Sequence, residues 1–262
     1  MALVGLLTDF GTRDWYVASM KGVIADIAPH AQIIDITHDI PMGDVAAASF
    51  MLLVSHTTWP KGSIFVAVVD PGVGSARKAL IGCANGYVFI GPDNGILASC
   101  FALDPTVEVR HLSNPAYWRP HVSPTFHGRD VFAPAAASMA RGGSLNSYGP
   151  LMTSWAPSPL PEPVMHGSEV CGVVAYIDHF GNALTNIPLP VVSSAVGPRA
   201  DVVVGDQVLP LLSFYKQVPP GAPLAVEGSC GYVEISVNAG SAAGNLGLRR
   251  GSPVTVRPAA KQ

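Results

Sequence analysis

Short apolar runs alternate with helical patterns over residues 1–150 of the chain. The runs Leu3–Leu7, Gln32–Ile36 and Ile64–Val69 are continuous rather than alternating, which is typical of strands buried on both faces of a parallel sheet. Between the first two runs, apolar residues recur at helical spacing until Pro29 ends the pattern. The start of the chain is therefore predicted to be a β–α–β arrangement.

Capping and turn residues place the remaining elements of this half. Asp44 can cap a helix that continues through Val54. Asn85-Gly86 lies between two apolar runs and predicts a hairpin with a type I′ turn. The hairpin strands and two later helices are predicted over Leu80–Cys83, Tyr87–Ile90, Gly95–Leu103 and Arg129–Ala140. Together these elements predict an α/β domain with a doubly wound, mainly parallel sheet.

The composition changes at Trp155–Gly167, which contains four prolines and cannot form a regular helix or a central strand. Beyond it the chain has almost no helical periodicity and consists of short β-rich runs separated by turns: Glu169–Ile177, Asp201–Val204, Pro223–Val226, Tyr232–Val237 and Val254–Val256. We predict an N-terminal α/β domain over 1–154, a linker over 155–167, and a smaller antiparallel barrel or sandwich domain over 168–262.

Charged residues are scarce, at 13% of the chain, about half the usual quarter. The net charge of −3 and the lack of a basic cluster longer than Arg249-Arg250 argue against a nucleic-acid partner. No stretch offers the roughly 18 continuous apolar residues of a bilayer span, and the N-terminus lacks the basic region of a signal peptide. The four cysteines are widely spaced. We therefore predict a reduced, cytoplasmic protein without a membrane partner.

Three predicted strands end in polar groups, at Thr8-Asp9, Thr37-His38-Asp39 and Asp70, and the first and third are the better candidates for a site. In an open α/β sheet, ligands bind beyond the carboxyl ends of the strands, where Asp9 and Asp70 are expected. Asp9 could accept hydrogen bonds from a sugar diol or form an Asx turn. Asp70 and Arg77 flank a turn-rich loop, and such a pair can hold a water molecule or brace the loop. The chain contains neither of the glycine-rich phosphate-binding motifs, G-x-G-x-x-G and G-x-x-x-x-G-K-[ST]. Their absence argues against a dinucleotide or triphosphate site.

His127 lies on a loop directly before a predicted helix. A helix N-terminus lowers the pKa of a nearby imidazole, which suits a general base or a residue that positions water. The alternative is a loop histidine satisfied by the backbone. The adjacent Asp130 is interpreted as a cap or a partner of Arg129. A hard-metal site remains an alternative for four side chains near the strand ends, Asp9, His38, Asp39 and Asp70.

Two segments of the second half group polar and aromatic side chains. Asp178 and Asn182 lie on either side of Phe180, and residues 229–240 end in a turn with exposed backbone. Together they could hold a zwitterionic amino acid and the edge of a heterocycle. Turn formation at barrel corners is the alternative, and it is the better interpretation for Asn182 and Asn238 taken separately.

Six motifs, in order along the chain, resemble one family. They are TDFGTRDWYVASMKG at 8–22, VDPGVGSAR at 69–77, GPDNG at 91–95, TFHGRDVFAP at 125–134, IDHFGNALTNI at 177–187 and EGSCGYVEISVNAGSAA at 227–243. On these motifs the chain resembles the S-adenosyl-L-methionine (SAM) hydroxide adenosyltransferases, SAM hydrolases related to the nucleophilic fluorinase and chlorinase. The resemblance implies an N-terminal α/β domain and a C-terminal antiparallel β-barrel. It also implies a homotrimer whose active sites lie between one subunit's N-domain and its neighbour's C-domain.

The resemblance implies roles for individual residues. Asp70, Arg77 and His127 would hold the attacking water or hydroxide. The adenosine site would consist of Asp9 at the ribose diol, Phe126 beside the adenosine, Phe180 on the adenine face, and Asn182 with the backbone near Val237 and Ala239 at the adenine edge. The methionine end would face Asp178, Ser229 and Glu234, with Tyr215 and Asp14 as further companions.

The implied reaction is hydrolysis of SAM to adenosine and L-methionine by in-line attack on the ribose C5′, with SAM as substrate and no metal or other cofactor. Where the halogenases place a halide-holding Thr and Ser, this chain has Val73 and Gly128. Asp70 replaces their tyrosine, and Gly43 stands where the fluorinase has a tryptophan. These departures favour water over a halide. The alternatives are a chloride-using halogenase, a non-catalytic SAM or adenosine sensor, and a metal-dependent hydrolase.

Overall fold

The computed structural model describes residues 2–260. The chain divides into two compact units, one ending at Pro159 and the other beginning at Leu160. This division falls inside the proline-rich stretch Trp155–Gly167, whose limits as a linker stay a prediction.

The first unit is built on a mixed sheet. Its strands are β1 (Leu3–Thr8), β2 (Gln32–Thr37), β3 (Ile64–Val68), β4 (Ala79–Ala84), β5 (Tyr87–Pro92) and β6 (Glu108–His111), and its α-helices are α1 (Tyr16–Ile27), α2 (Val45–Ser55), α3 (Ala98–Phe101) and α4 (Ala133–Ala140). Within the described chain these strands form one six-stranded sheet in the order β2-β1-β3-β5-β4-β6. β1, β2, β3 and β5 are parallel, and β4 runs antiparallel to both of its neighbours. The predicted mainly parallel sheet is confirmed.

Both faces of this sheet are covered, which explains its continuous apolar strands. On one face, Val66 belongs to the same core cluster as Met20 of α1. On the other face, Phe65 stacks on Phe89 with ring centroids 5.4 Å apart, and Phe89 meets Phe101 of α3 edge-on. Adjacent side chains of β3 thus reach two different layers, as the two-residue period of a strand requires. The sheet is doubly wound, as predicted.

Local sequence signals placed a helix start and a turn correctly. The Asp44 carboxylate caps α2 by accepting a hydrogen bond from the N–H of Ala47 at 3.0 Å. Asn85 and Gly86 have φ values of 49° and 76°, and positive φ at both positions is what a type I′ turn requires. β4 and β5 pair in the antiparallel sense on either side of this turn. The predicted hairpin is therefore confirmed.

Two elements of this unit differ from the prediction. The helix predicted over Gly95–Leu103 is limited to α3, because the Asn94 side chain accepts a hydrogen bond from the N–H of Ile96 at 3.2 Å and organises the start as a turn. Strand β6 was not predicted, since Val109 is the buried position among its four residues and so leaves little apolar pattern.

The helix predicted over Arg129–Ala140 is present but begins irregularly. A π-helical turn covers Gly128–Phe132 and continues into α4. Pro134 lies in the first turn of α4, directly after the π-helical turn. None of the helices within residues 2–260 combines the length and the apolar character needed to cross a membrane.

The second unit is a closed barrel. Its strands are β7 (Val164–His166), β8 (Glu169–Ile177), β9 (Ala183–Pro188), β10 (Ala200–Val204), β11 (Gln207–Leu212), β12 (Pro223–Glu227), β13 (Tyr232–Val237) and β14 (Pro253–Pro258), and its α-helices are α5 (Leu189–Ala195) and α6 (Ala242–Leu246). Over residues 160–260, the strands close in the order β14-β10-β11-β12-β13-β9-β8 through pairing of β14 with β8, and β7 pairs with the start of β8. The predicted antiparallel barrel is confirmed, except that β11 and β12 are parallel.

The sequence pattern missed β7, β9, β11 and the two short helices of this unit. β9 was missed because two of its buried positions, Thr185 and Asn186, are polar and interrupt the apolar pattern. The Thr185 hydroxyl donates to the carbonyl of Val233 at 2.8 Å, and the Asn186 side-chain oxygen accepts from the N–H of Val173 at 2.7 Å. Buried polar groups with such partners are tolerated in a core. The strand therefore forms although its sequence alternates poorly.

Candidate active site

Two predicted site residues lie at one edge of the first unit's sheet. β1 ends at Thr8, directly before Asp9, and β3 ends at Val68, two positions before Asp70. The two strands pair in parallel with Thr8 opposite Val68. Asp9 and Asp70 therefore leave the sheet at the same edge, the carboxyl ends of the strands, where open α/β sheets bind ligands.

Asp70, Arg77 and His127 form one hydrogen-bonded cluster. Nε of Arg77 donates to both carboxylate oxygens of Asp70, at 2.9 and 3.0 Å, and Nη2 donates to Oδ2 as well. Nη2 also lies 2.8 Å from Nδ1 of His127. The Asp70 and Arg77 side chains are 5% and 10% exposed, so water screens this pair less than a surface ion pair. The structure brings the three residues together, and their role in holding water stays a prediction.

Close packing of two loops brings these side chains together. The loop between Asp70 and Arg77 turns at Gly74, whose φ is +76°. A Cβ on Gly74 would collide with the carbonyl oxygen of Pro124. This loop therefore packs directly on the loop that carries His127, and a side chain at position 74 would push the two apart.

The position of the proton on His127 follows from its neighbour. A guanidinium can only donate, so Nδ1 of His127 accepts the hydrogen bond from Arg77, and the neutral ring carries its proton on Nε2. Burial lowers the pKa of His127, and the charge of Arg77 lowers it further against the opposing effect of Asp70 and Asp130. His127 is thus a neutral imidazole with Nε2–H as its remaining donor.

Asp130 is fully buried next to this cluster. Its carboxylate accepts hydrogen bonds from the Arg129 guanidinium at 2.7 and 2.8 Å and from the N–H of Ser123 at 2.9 Å. Burial acts to raise the pKa of Asp130, but these hydrogen bonds and the charges of Arg129 and Arg119 hold it below its ordinary value. The interpretation of Asp130 as a partner of Arg129 is confirmed. The hydrogen bond from the N–H of Ser123 to Asp130 closes the loop that carries His127.

Asp9 and Phe126 lie among backbone and aromatic groups. Oδ2 of Asp9 accepts a hydrogen bond from the N–H of Gly43 at 2.8 Å, which joins the loop after β1 to the loop before α2. Phe126 is buried and meets the rings of Phe10 and Tyr16 edge-on, with centroids 5.9 and 5.2 Å apart. Phe10 and Tyr16 were not among the predicted site residues, although the dense aromatic run after Asp9 was the available signal.

Asp178 organises its own turn between β8 and β9. Its Oδ1 accepts from the N–H groups of Phe180 and Asn182 at 2.9 and 2.8 Å, and its Oδ2 accepts from the Asn182 side-chain amide at 3.0 Å. This is the turn geometry that was weighed as the alternative to a binding role. It presents the Phe180 ring, 74% exposed, at the tip of the turn.

Glu234 is a buried carboxylate on β13, 7% exposed. Its Oε1 accepts hydrogen bonds from the hydroxyls of Tyr215 at 2.8 Å and Ser236 at 2.7 Å. Burial together with the bond to Glu234 raises the pKa of Tyr215 to about 12. Tyr215 is therefore a firmly protonated donor that holds one oxygen of Glu234.

An open cavity of about 560 Å³ lies on the surface of the second unit. Its lining contains predicted adenine-site residues and other neighbours: Phe180, Asn182, Tyr215, Val237, Asn238, Ala239 and Gly240. Ala239 has a positive φ of 57°, which is uncommon for a residue with a Cβ. The structure thus gathers residues predicted on separate turns into one cavity. Their role in binding adenine stays a prediction.

Some predicted residues lie outside these groupings. Ser229 is exposed in the turn between β12 and β13, and Asp14 is exposed on the loop before α1. Asp178, Ser229 and Glu234 are not part of the cavity lining. Their predicted place at the methionine end therefore draws no support from this cavity.

Two of the four side chains weighed as a hard-metal site, His38 and Asp70, have other partners. Nδ1 of His38 lies 2.8 Å from Oγ1 of Thr8, and Asp70 is bonded to Arg77. Among residues 2–260, no group of three or more His, Cys, Asp or Glu side chains is arranged so that it could hold a metal ion.

Comparison with known proteins identifies the family. Residues 4–149 match the SAM hydroxide adenosyltransferase N-terminal domain, and residues 172–255 match the C-terminal domain. An (R)-S-adenosyl-L-methionine hydrolase of Thermus thermophilus is 39% identical, with 97% of this chain and 99% of that protein covered. A fluorinase of an Actinoplanes species is more distant, at 28% identity over 98% of each chain.

A solved structure supports the same assignment. The crystal structure of an uncharacterized conserved protein from Thermotoga maritima matches with a TM-score of 0.90 and 34% identity, covering 97% of this chain and 99% of that one. Both domains of the family are matched in order along the sequence. The chain therefore belongs to the SAM hydroxide adenosyltransferase family.

Proposed function

We propose that this chain hydrolyses S-adenosyl-L-methionine to adenosine and L-methionine. The observation that carries the proposal is the cluster of Asp70, Arg77 and His127. It occurs in a chain that is 39% identical to a protein named (R)-S-adenosyl-L-methionine hydrolase. That name specifies the configuration at sulfur, and we propose the same (R) epimer as the substrate of this chain.

In the proposed reaction, a water oxygen attacks the ribose C5′ in line with the departing sulfur. The C5′–O bond forms as the C5′–S bond breaks, and the electron pair leaves with sulfur as the neutral thioether of methionine. The leaving group therefore needs no proton. The water loses one proton, for which Asp70 is the acceptor in the cluster, because Arg77 only donates and His127 carries its proton on Nε2. The proposal includes no metal and no cofactor.

The cluster residues act on the water in different ways. Arg77 orients the Asp70 carboxylate and supplies positive charge that favours a hydroxide-like nucleophile. His127 donates from Nε2 to the water oxygen, while Oδ1 of Asp70 keeps a lone pair for the water after accepting from Arg77. Orientation together with removal of competing solvent supplies the rest of the acceleration.

We further propose a homotrimer in which the first unit of one subunit meets the second unit of its neighbour at each active site. Both units expose aromatic side chains beside predicted site residues: Trp15 is 65% exposed and Phe180 is 74% exposed. Exposed apolar groups of this kind are typical of interaction surfaces. The low charged fraction of 13% is also expected if two faces of each subunit are buried in contacts with its neighbours. Sedimentation as a stable monomer would contradict this assembly.

In that assembly the substrate would be divided between the two units. The first unit would bind the ribose diol through Asp9 and pack Phe126 beside the adenosine. The second unit would place the adenine in its open cavity, against Phe180 and Asn182. The methionine end would face Asp178, Ser229 and Glu234, with Tyr215 and Asp14 nearby.

We also propose a cytoplasmic location. Cys83, Cys100, Cys171 and Cys230 are free thiols, and unpaired cysteines are typical of proteins from reducing compartments. Cell fractionation tests this proposal directly, and recovery of the protein from a secreted fraction would contradict it.

Hydrolysis in H₂¹⁸O tests the reaction and the nucleophile together. Purified protein is incubated separately with the (R) and (S) epimers of SAM, and the products are analysed by mass spectrometry. We expect adenosine carrying ¹⁸O at its 5′-hydroxyl, equimolar L-methionine, and faster turnover of the (R) epimer. Unlabelled adenosine, or SAM bound tightly without turnover, would contradict the proposal, and the second result would favour a sensor. Turnover abolished by a chelator and restored by a metal ion would favour a metal-dependent hydrolase.

A chloride-using halogenase is the second candidate function, and it is suggested by the similarity to a fluorinase. The space at Gly128 argues against it, since a Cβ there would lie 3.2 Å from Sδ of Met20 and 3.4 Å from the rings of Phe10 and Phe126. A halide-holding side chain would fit at this position only if Met20 shifted by a few tenths of an ångström. Formation of 5′-chloro-5′-deoxyadenosine in high chloride, at a rate matching adenosine formation, would support this candidate.

A further inference from the structure

A buried hydrogen-bond chain lies under the loop that carries Asp9. Nδ1 of His38 is 2.8 Å from Oγ1 of Thr8, and this oxygen accepts from the N–H of Phe10 at 3.2 Å. Thr8 and His38 are 0% and 4% exposed. The carbonyl oxygen of His38 accepts from the N–H of Gly11 at 2.8 Å. Thr8, directly before Asp9, and Gly11, two positions after it, are therefore both bonded to His38, the residue that follows β2.

The other ring nitrogen of His38 faces a carboxylate. Nε2 lies 3.0 Å from Oδ1 of Asp35, within ion-pair distance but at an angle outside that of a hydrogen bond. Asp35 also pairs with Lys21 at 2.6 Å. Two facing lone pairs would repel, so a neutral His38 ring carries its proton on Nε2 and accepts a hydrogen bond from the Thr8 hydroxyl at Nδ1. The chain then runs in one direction, from the Phe10 N–H through Thr8 to His38.

We propose that His38 is a positioning residue for Asp9. This inference rests on the proposed function, in which Asp9 binds the ribose diol. Asp9 follows Thr8 directly, so a rotation of this backbone would swing its carboxylate away from the N–H of Gly43 and from the ribose. His38 prevents that rotation through its ring at Thr8 and through its carbonyl at Gly11.

The action of His38 is confined to ribose binding. Its ring contacts Thr8 and Asp35, whereas the proposed water is held by the separate cluster around Arg77. Loss of His38 should therefore weaken recognition of the ribose hydroxyls and raise KM, with kcat little changed. A residue that stabilised the fold alone would not distinguish between ligands with and without these hydroxyls.

Substitutions at the two ends of the Thr8–His38 bond test the proposal. The His38→Asn side chain can supply an acceptor near the Nδ1 position, whereas His38→Gln reaches only the Nε2 position. Thr8→Val removes the hydroxyl with little change of shape, and Thr8→Ser keeps it. Binding of adenosine and 2′,3′-dideoxyadenosine is measured by calorimetry, and the ratio of the two affinities reports recognition of the diol.

We expect the preference of the unsubstituted protein for adenosine to fall about tenfold in Thr8→Val and His38→Gln, the effect of losing one buried hydrogen bond. His38→Asn and Thr8→Ser should stay within about threefold of the original preference. Dideoxyadenosine affinity should be unchanged in all variants. His30→Asn, at an exposed histidine after α1, is the control for a neutral change.

The Asp9→Asn variant distinguishes failure of the proposed role of His38 from failure of the proposed role of Asp9. A preference lost in Asp9→Asn but kept in Thr8→Val and His38→Gln would overturn the role of His38 while the role of Asp9 stands. A preference kept in Asp9→Asn would overturn both. Because binding is measured without turnover, loss of preference in Thr8→Val and His38→Gln supports the positioning role even if the protein fails to hydrolyse SAM. If His38→Gln does not fold, Thr8→Val carries the test.

Discussion

The polar groups around Asp70 in the first unit and around Asp178 in the second are held in opposite ways. In the first unit, Asp70 is bonded to Arg77, seven positions along the chain, and Arg77 to His127, fifty positions further. In the second unit, Asp178 bonds to residues of its own turn, no more than four positions away. The first arrangement exists only in the folded protein, whereas the second is local and leaves the turn's aromatic tip in solvent.

This difference matches the two tasks that we propose for these groups. Attack on carbon requires charges fixed to a fraction of an ångström, and long-range bonds within a packed domain provide that precision. Recognition of a flat ring requires an apolar face and an accessible edge, which an open cavity of about 560 Å³ beside Phe180 offers. We therefore expect substitutions in the cluster of Asp70, Arg77 and His127 to lower kcat, and substitutions in the cavity beside Phe180 to raise KM.

The largest expected effect is that of Asp70→Asn. The amide preserves the shape of the side chain and can still accept from Arg77, but it removes the proposed proton acceptor. We expect kcat to fall about 10³-fold, within the range for loss of a general base, with KM changed less than about threefold. Steady-state kinetics of adenosine release measure both constants. A kcat within tenfold of the original would show that the cluster only braces its loop.

A smaller effect is expected for Phe180→Ala. Loss of stacking on a base costs about 1–3 kcal/mol, so KM should rise about tenfold or more while kcat stays within about twofold. Phe180 is 74% exposed, so folding should not be affected. Phe214→Ala, which removes another exposed ring outside the cavity lining, is the matched control. A fall in kcat comparable to that of Asp70→Asn would contradict the assignment of Phe180 to binding and of Asp70 to the chemical step.

The smallest expected effect is a pH dependence of stability from His127. Because its pKa is lowered in the folded state from an ordinary value of 6.5, the unfolded chain binds this proton more readily. The free energy of unfolding should therefore fall as the pH drops below 6.5 and level off below the folded-state pKa, with no contribution from this residue above 6.5.

Urea unfolding of the original protein and of His127→Gln between pH 8 and pH 5 isolates this contribution. His56 and His111 also have lowered pKa values, but they are present in both proteins and cancel in the difference. The original protein should lose stability relative to His127→Gln as the pH falls. An unchanged difference would show that burial and Arg77 do not lower the pKa of His127 in the folded protein.

Local rules were sufficient for much of the fold. The Asp44 cap and the Asn85-Gly86 turn were predictable because each depends on residues no more than three positions apart. The same rules failed where tertiary contacts outweighed them, as in β9, where the buried hydroxyl of Thr185 is satisfied by Val233, 48 positions away. The motifs identified the family because they depend only on the order of residues along the chain.

The candidate site was likewise predictable from the sequence only in part. The residue types and turn signals around Asp9, Asp70 and His127 were visible in the sequence, and so was the carboxylate at the end of each strand. Packing alone decided that Arg77 bonds His127, that Nδ1 is the accepting nitrogen, and that His38 lies under the loop of Asp9. These contacts join residues 30 and 50 positions apart, and their geometry depends on burial and loop packing that no local pattern encodes.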